Sequence, residues 1–343
     1  MSGSDRRNPR GSLRLLSLLA VMGLGLATAP AHASPLTPPA PQDAATALGQ
    51  VGPQIVDIDA KLGYQSAIGA GTGIVIDPNG VVLTNNHVIA GATNLTARSI
   101  GNGQTYPATV IGYDRNHDIA VVQLAGGGLP AANIGNSDTV TVGAPIVSMG
   151  NAGGAGGAPS AVDGRVAALN QTVSASDALT GSNETLVGLI QVDAAIRPGD
   201  SGGPTVNAAN QVIGLNTAAS ENFHLGRGQG FAIPINEAMA IAGQIRSGAS
   251  SPTVHIGPTA FLGVGVNDAA GGAGAVVRQV IPTGPAAGAG INPGDVITSV
   301  NGQPVNSATA LTNILDQHHP GDGVSVGLGD RSSNVTLADG PPG

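Results

Sequence analysis

Between residues 51 and 234 the chain alternates short apolar runs with turn-forming residues. "GTGIVID", "GVVLTNN", "LTARSI", "YPATVIGYD", "DIAVVQL", "APIVSMG", "GRVAALN", "LIQVDAAI" and "NQVIGLNTA" are such runs. Their length and their Val and Ile content are those of strands, and "DPNG" at 77–80 predicts a tight hairpin between two of them. Strands this closely spaced predict a sandwich or a pair of barrels, not a parallel sheet covered by helices. "NAGGAGGAPS" (151–160) is a low-complexity loop within that region. The period changes after Pro234. "INEAMAIAGQIRSG" (235–248) reads as an amphipathic helix that stops at a glycine. "ASSPTVHIGPTA" (249–260) reads as a linker, and a second, smaller unit follows over 261–340. That unit pairs short strands with a helical segment, "SATALTNILDQHH". No internal repeat of solenoid length is present.

The start of the chain has a different texture. Arg6, Arg7, Arg10 and Arg14 precede the apolar run "LLSLLAVMGLGLATA", and Ala31-His32-Ala33 follows as a small-x-small cleavage site. This predicts a secretory signal over 1–33, with Ser34 the first mature residue. The alternative is an uncleaved anchor, although the run is shorter than the roughly 20 apolar residues of a spanning helix. Arg6-Arg7 also resembles a twin-arginine signal. Export to the periplasm, the cell envelope or the medium is the resulting expectation. Residues 34–50 ("SPLTPPAPQDAATALGQ") read as a Pro- and Ala-rich disordered spacer. The first folded unit then covers 51–248.

Composition narrows the chemistry. The 343 residues include 54 Gly and 24 Pro but only 2% aromatics, which fits a turn-rich β protein of about two domains. With 10% charged residues and a net charge of -8, no basic stripe is available to neutralise phosphates, so a nucleic-acid partner is not expected. The absence of cysteine excludes disulfides, zinc–thiolate sites and thiol nucleophiles. No metal and no cofactor is expected.

The chemistry-bearing stretch is "RPGDSGGP", residues 197–204. Gly199-Asp200-Ser201-Gly202-Gly203 fits the G-x-S-x-G elbow of α/β-hydrolases, but that motif must open a helix. Here Pro204 and a turn-linked strand pair follow instead. The other context for such a serine is a β-barrel protease, with residues in the order His, Asp, Ser. His87 follows the strand-like "GVVLTN", and Asp118 stands at the mouth of "IAVVQL". A serine hydroxyl is a poor nucleophile without a base to take its proton, so the three residues make chemical sense together.

These motifs carry a resemblance. "GTGIVI", "GVVLTNNHVI", "DRNHDIAVVQL", "VDAAIRPGDSGGP", "VIGLNTA" and "GQGFAIPI" resemble the HtrA/DegP family of trypsin-like serine proteases. "FLGVGV", "GPAAGAGINPGDVITSVNG" and "HHPGDGVSVGL" resemble its C-terminal PDZ domain. Within the family the likeness is greatest to the secreted, glycine-rich PepA-like branch. The resemblance covers the chain from Val51 to the last strand. It implies a mainly β fold, with a chymotrypsin-like double β-barrel followed by a small α+β PDZ domain. It also implies an exported serine endopeptidase acting on unfolded or damaged proteins.

The resemblance assigns roles. His87 is the base, Asp118 orients it, and Ser201 is the nucleophile. Backbone N–H groups of Gly199 and Ser201 form the oxyanion hole. The floor of the specificity pocket is Ala195, six positions before the serine, and Asn216, Thr217 and Gln229 line its walls. An alanine floor selects small or medium aliphatic residues rather than Lys or Arg. Asp200 stands where zymogen-type relatives hold an acid that pairs with a new N-terminus, yet no Ile-Val-Gly start follows a basic residue here. Many members of the family carry Asn at this position, which leaves the role of Asp200 open. Phe261, Leu262, Gly263 and Val264 resemble the PDZ carboxylate loop, so C-terminal peptides are expected partners. Leu311 and Ile314 are expected to line the pocket for the last side chain. A homo-trimer is the assembly that the family suggests. Two other readings stand beside the general protease: a regulatory, site-specific protease, and a chaperone or binding module with secondary proteolysis. Of the remaining histidines, His117 is expected on the surface, because neighbours on a strand point to opposite faces. His224 and His255 lack companion ligands, and the His318–His319 pair reads as a polar helix end, with metal binding as its alternative.

Overall fold

The computed structural model describes residues 43–176, 183–217 and 229–343. The signal segment 1–33, the spacer over 34–42 and His224 lie outside the described residues.

The first barrel is built from β1 (Ile55–Leu62), β2 (Ala67–Asp77), β3 (Val81–Thr84), β4 (Asn94–Ser99), β5 (Thr105–Asp114) and β6 (Ile119–Leu124). The strands run in the order β5-β4-β1-β2-β3-β6, and pairing of β5 with β6 closes the ring. The second is a closed barrel in the order β10-β11-β12-β9-β8-β7. Its strands are β7 (Pro145–Gly150), β8 (Ser160–Ser176), β9 (Asn183–Val192), β10 (Pro204–Asn207), β11 (Val212–Thr217) and β12 (Gly230–Pro234).

Alternation along β1 and β2 decides what faces what. Val56, Ile58, Ala60 and Val75 fill the first barrel, together with Val82, Tyr113 and Leu124. The opposite face carries Ile55 and Ile74 into a second cluster, shared with Val147, Met149, Val206 and Leu215 of the other barrel. That inter-barrel face also holds Asp57 and Thr72, which are partners across the β1–β2 ladder. Burying a carboxylate and a hydroxyl there requires hydrogen-bonding partners. The partners are the site described below.

Two expectations are corrected. Residues 44–51 are not a disordered spacer: α1 (Ala44–Val51) is capped by Asp43, whose carboxylate accepts the Thr46 N–H at 3.0 Å. Ala47 and Val51 are buried in the inter-barrel core, and apolar burial of this kind offsets the ordering of a short helix. The 249–260 linker is also structured. Its β13 (Val254–Ile256) adds to β5 with Val254 opposite Asp114. The predicted helix is present as α3 (Ile235–Arg246), with Ile235, Ala238, Ile241, Ala242 and Ile245 buried.

The C-terminal unit has its own core of Leu262, Val277, Ile297, Leu311, Val326 and Val335, among others. β14 (Thr259–Phe261) pairs with the last strand, β22 (Ala338–Gly340). β15 (Val264–Asp268), β16 (Ala275–Val280) and β17 (Val296–Ile297) form one sheet with β15 at its edge. β18 (Ser299–Val300), β19 (Gln303–Pro304), β20 (Gly323–Leu328) and β21 (Arg331–Thr336) form another. Two helices complete the unit, numbered after α2 (Asn86–Ile89) and α3: α4 (Pro285–Gly288) and α5 (Ala308–Leu315).

Candidate active site

His87 sits on α2, a single turn that follows β3, and its ring is partly exposed. Asp118 closes the turn before β6 and is buried. It adopts a positive φ of 54°, a conformation that Asp tolerates better than most residues. It therefore belongs to a turn and not to a strand. This backbone aims its carboxylate at α2. Asp118 Oδ1 accepts the His87 backbone N–H at 3.0 Å, and the His87 Nδ1 lies 2.8 Å from Oδ2. The Asp118 carbonyl accepts the Asn85 side-chain amide at 2.9 Å, which ties the turn to the start of α2. Nδ1 facing a buried carboxylate leaves Nε2 as the ring atom able to work on a substrate.

A partner absent from the sequence reading is Thr217. Its hydroxyl donates to Asp118 Oδ2 at 3.1 Å. Thr217 was expected on the specificity-pocket wall, together with Asn216. The side chains of both are engaged in the interior. Asn216 is fully buried, donates to the Met149 carbonyl at 2.9 Å and accepts from the Thr205 hydroxyl at 2.6 Å. Alternation along "VIGLNT" sends the two side chains to opposite faces, and both faces are buried because β11 is buried along its whole length.

Ser201 lies in the turn before β10 and is only 4% exposed. Its carbonyl accepts the Thr72 N–H at 2.8 Å, and the next amide, Gly202 N–H, donates to the Asn216 carbonyl at 2.9 Å. Ser201, the Thr217 neighbourhood and Asp118 thus meet at one junction between the barrels. Gly199 has φ +95° and Gly202 has φ +82°. A β-carbon on Gly199 would overlap the Asn151 carbonyl, and one on Gly202 the Thr72 carbonyl. Only glycine fits either place. The peptide planes around Gly199 are pinned. The Pro198 carbonyl accepts Gly153 N–H at 2.7 Å, and the Gly199 carbonyl accepts the Thr72 hydroxyl at 2.7 Å. Because the peptide unit is planar and trans, the first bond turns the Gly199 N–H away from the 151–157 loop.

Asp200 is buried behind this turn. Its carboxylate accepts the Arg197 N–H at 2.9 Å and the Ser160 hydroxyl at 3.0 Å. Burial raises its pKa above the ordinary carboxylate value, while those two bonds pull it down. In this structure the acid braces the turn from within the chain. Ala195 is half-buried, and Gln229 is exposed at the start of β12. Beside Ala195, the Ile196 side chain packs on Gly230, where any β-carbon would collide with it.

The other histidines among the described residues are accounted for locally. His117 pairs with Asp114 at 2.8 Å and is partly exposed. His255 lies between the Asp316 and Pro258 carbonyls, at 2.8 and 3.1 Å. His319 stacks on His255, and His318 pairs with Asp322 at 3.2 Å.

In the C-terminal unit, Phe261, Leu262, Gly263 and Val264 form the bend between β14 and β15, with Gly263 at φ +81°. Leu262 is buried, and its carbonyl accepts the Ala286 N–H at 2.9 Å, which anchors the bend to α4. A cavity of about 420 Å³ runs between this bend, β15 and α5. Leu311 and Leu315 line it, so Leu315 takes the place expected for Ile314, which is turned into the core. Asn86, His87 and Arg115 form its far wall.

Comparison with known proteins agrees with this architecture. Residues 71–215 match the trypsin-like peptidase domain family, and residues 260–337 match the PDZ domain family. The chain is 36% identical over 331 residues to the serine protease PepD of Mycobacterium tuberculosis, covering 90% of this chain and 69% of that protein. It is 35% identical over 287 residues to a putative serine protease, HhoA, of Synechocystis, covering 78% and 70% respectively. Among solved structures it is similar to the HtrA-type protease AlgW with tripeptide, at 30% identity and a TM-score of 0.52 over 88% of this chain and 98% of that one. A barrel pair with a serine turn at its junction, a PDZ unit behind it and these relatives lead to one conclusion: the chain belongs to the HtrA/DegP family of serine proteases.

Proposed function

We propose that this protein is an exported endopeptidase that cuts unfolded or damaged polypeptides, with His87, Asp118 and Ser201 as its catalytic triad. The observation that carries the reading is the Asp118 carboxylate. It is buried and bonded at once to the His87 backbone, the His87 Nδ1 and the Thr217 hydroxyl. That fixes the ring and its tautomer, so Nε2 takes the Ser201 proton as the hydroxyl attacks the scissile carbonyl. The proton then passes to the leaving amine. Asp118 stabilises the imidazolium in between, and the tetrahedral oxyanion is held by the Gly199 and Ser201 N–H groups. The pinned planes around Gly199 support that role, because a donor held in place costs no reorganisation during the reaction. Water repeats the sequence on the acyl-enzyme.

Cleavage is proposed after Val, Ala, Leu or similar residues, with Ala195 at the floor and Ile196 against Gly230 narrowing the pocket. The PDZ unit is proposed to capture exposed C-termini. The peptide adds as a strand to the open edge of β15, its carboxylate meeting the 261–264 bend and its last side chain facing Leu311 and Leu315. A homo-trimer is the proposed assembly, and sizing in solution tests it. A digest of unfolded casein with mapped cuts tests the whole reading. Fluorophosphonate labelling of Ser201 with cuts after small aliphatic residues is expected. No adduct on Ser201 would favour a binding module.

One observation favours the regulatory reading as a second. Asp316 at the end of α5 accepts from the Tyr113 hydroxyl at 2.8 Å and pairs with Arg115, while the Asn86 amide donates to the Gly343 carbonyl at 3.1 Å. The groove wall is thereby bonded to the segments that carry His87 and Asp118, so a groove ligand has a physical route to the triad.

A further inference from the structure

Asp200 braces its own turn, but the Pro198–Gly199 peptide is fixed from outside it. Its Pro198 carbonyl is fixed by Gly153, in a loop where Gly153, Gly154, Gly156 and Gly157 all have positive φ. Such a loop has little conformational preference of its own and a large entropy to lose on ordering. Something outside it must hold it. The structure offers two side chains from the first barrel. The Asp57 carboxylate accepts the Gly157 N–H at 3.1 Å, and the Thr72 hydroxyl accepts the Asn151 N–H at 2.9 Å. Between those anchors, Asn151 Oδ1 accepts the Gly156 N–H at 2.8 Å. The same Thr72 hydroxyl donates to the Gly199 carbonyl.

Asp57 and Thr72 face each other across β1 and β2 on the inter-barrel side, beside Ile55 and Ile74. Asp57 is 3% exposed, and its Oδ1 has no hydrogen-bond partner among the described residues. A carboxylate buried at such cost, with half of its acceptor capacity unused, is a poor contributor to stability. Arg98 on β4 and Asp59 on β1 are the charges that act on it, and burial still pushes its pKa up to about 6. What the acid supplies is one acceptor aimed at the glycine loop.

We propose that Asp57 and Thr72 form a positioning pair for peptide hydrolysis: they hold the 151–157 loop, and through Gly153 and Pro198 they set the direction of the Gly199 N–H toward the developing oxyanion. Neither residue touches the substrate. The inference rests on the reading of Ser201 as nucleophile and Gly199 as oxyanion donor.

The test uses the full mature chain, a peptide substrate and a peptide aldehyde with the same sequence, which forms a tetrahedral adduct on the serine. Wild type and Ser201→Ala are compared first. If wild type neither cuts the peptide nor labels with fluorophosphonate, the proposed function fails, whatever the role of Asp57. Given an active wild type, Asp57→Ala is expected to lower kcat by roughly 10–100-fold, a fraction of what loss of a whole oxyanion donor costs. KM should change by less than about threefold, and aldehyde affinity should fall in parallel with kcat. Asp57→Asn keeps an acceptor for Gly157 and should recover most of the rate. Thr72→Val removes both hydroxyl bonds at constant shape and should lose kcat in the same way, with Thr72→Ser restoring it. This second pair decides the matter if Asp57→Ala does not fold. The proposal is overturned if folded Asp57→Ala and Thr72→Val keep kcat and aldehyde affinity within about twofold of wild type. It is equally overturned if the loss appears in KM alone, or if Asp57→Asn and Thr72→Ser are as impaired as the larger changes.

Discussion

The junction between the barrels and the groove of the PDZ unit follow opposite plans. At the junction, Thr72, Asn85, Asp118, Asp200, Asn216 and Thr217 are buried polar residues tied into one network. The glycines there have no room for a side chain. The groove has an open strand edge at β15, apolar walls from α5 and room for about 420 Å³ of ligand. The first plan fixes donors and acceptors before the substrate arrives, which is where catalytic power comes from. The second leaves main-chain groups waiting for a partner strand, which suits recognition of many sequences by one terminus. In the proposed reading, chemistry depends on rigid polar packing and selection on an unfilled edge.

That contrast is sharpest at Ser201. Ser201→Ala should lower kcat/KM by about 10⁶-fold, and His87→Ala by a similar amount, since members of a triad act as a unit. Thermal melting should be little changed, and C-terminal peptides should still bind the groove. Near-normal turnover in Ser201→Ala would end the assignment.

Gly199→Ala probes rigidity directly. Its positive φ and its contact with the Asn151 carbonyl leave the methyl nowhere to go. A loss of roughly 100-fold or more in kcat is expected, close to that for an oxyanion donor. An equal loss from Gly290→Ala, in the PDZ unit at φ +69° with open space around it, would point to general destabilisation and not to the site.

The buried acids give the junction a pH signature. The Asp57 carboxyl sits at about 6 against an ordinary 3.8, and that of Asp200 is also raised. For both, the folded state disfavours the charged form, so it binds more protons than the unfolded chain in this window. The Asp57 contribution therefore falls as pH rises from about 4 to 6, by up to about 3 kcal/mol, and that of Asp200 falls in the same direction. Asp43, Asp77, Asp295 and Asp322 are lowered and act oppositely, losing stability as pH falls below the ordinary value. Denaturant midpoints of wild type and Asp57→Asn should converge near pH 4 and diverge by pH 7, with the variant the more stable. A constant difference across that range would contradict the raised carboxyl.

At the groove, a peptide with a free apolar C-terminus should bind the full chain at least tenfold more tightly than its amidated twin, read by fluorescence anisotropy. Equal affinities would remove the 261–264 bend from carboxylate capture. The smallest effect is expected at Thr217→Val. One hydroxyl bond to Asp118 is lost while His87 keeps its others, so kcat should drop only a fewfold, or about 1 kcal/mol. A loss as large as that of His87→Ala would make Thr217 a full partner of the triad.

Much of this was legible in the chain. His87, Asp118 and Ser201 each sit beside a strand end or a turn whose residues announce it, and the glycines around Ser201 announce a tight backbone. The helices at 235–246 and 308–315 follow from their apolar spacing. What misled was local texture. The Pro- and Ala-rich stretch before Val51 looked like a spacer, but Ala47 and Val51 find a core to bury in. Residues 249–260 looked like a linker, but β13 finds an unpaired length of β5. The side-chain partners of Asn216 and Thr217 were not legible, because spacing alone does not say which face of a fully buried strand meets which neighbour.

The sequence by itself determined the mainly β fold, the two kinds of unit and the three residues proposed for the chemistry. Periodicity and turn residues are local properties, and each motif lies within a few positions along the chain. Only the tertiary structure decided which distant groups meet: Thr217 with Asp118, Ser160 with Asp200, Asp57 and Thr72 with the glycine loop, and Asp316 with Arg115. These pairs lie 99, 40, 100, 79 and 201 positions apart along the chain. No local preference encodes such meetings. They arise where closing the barrels and packing one against the other brings polar side chains out of water and obliges each to find a partner.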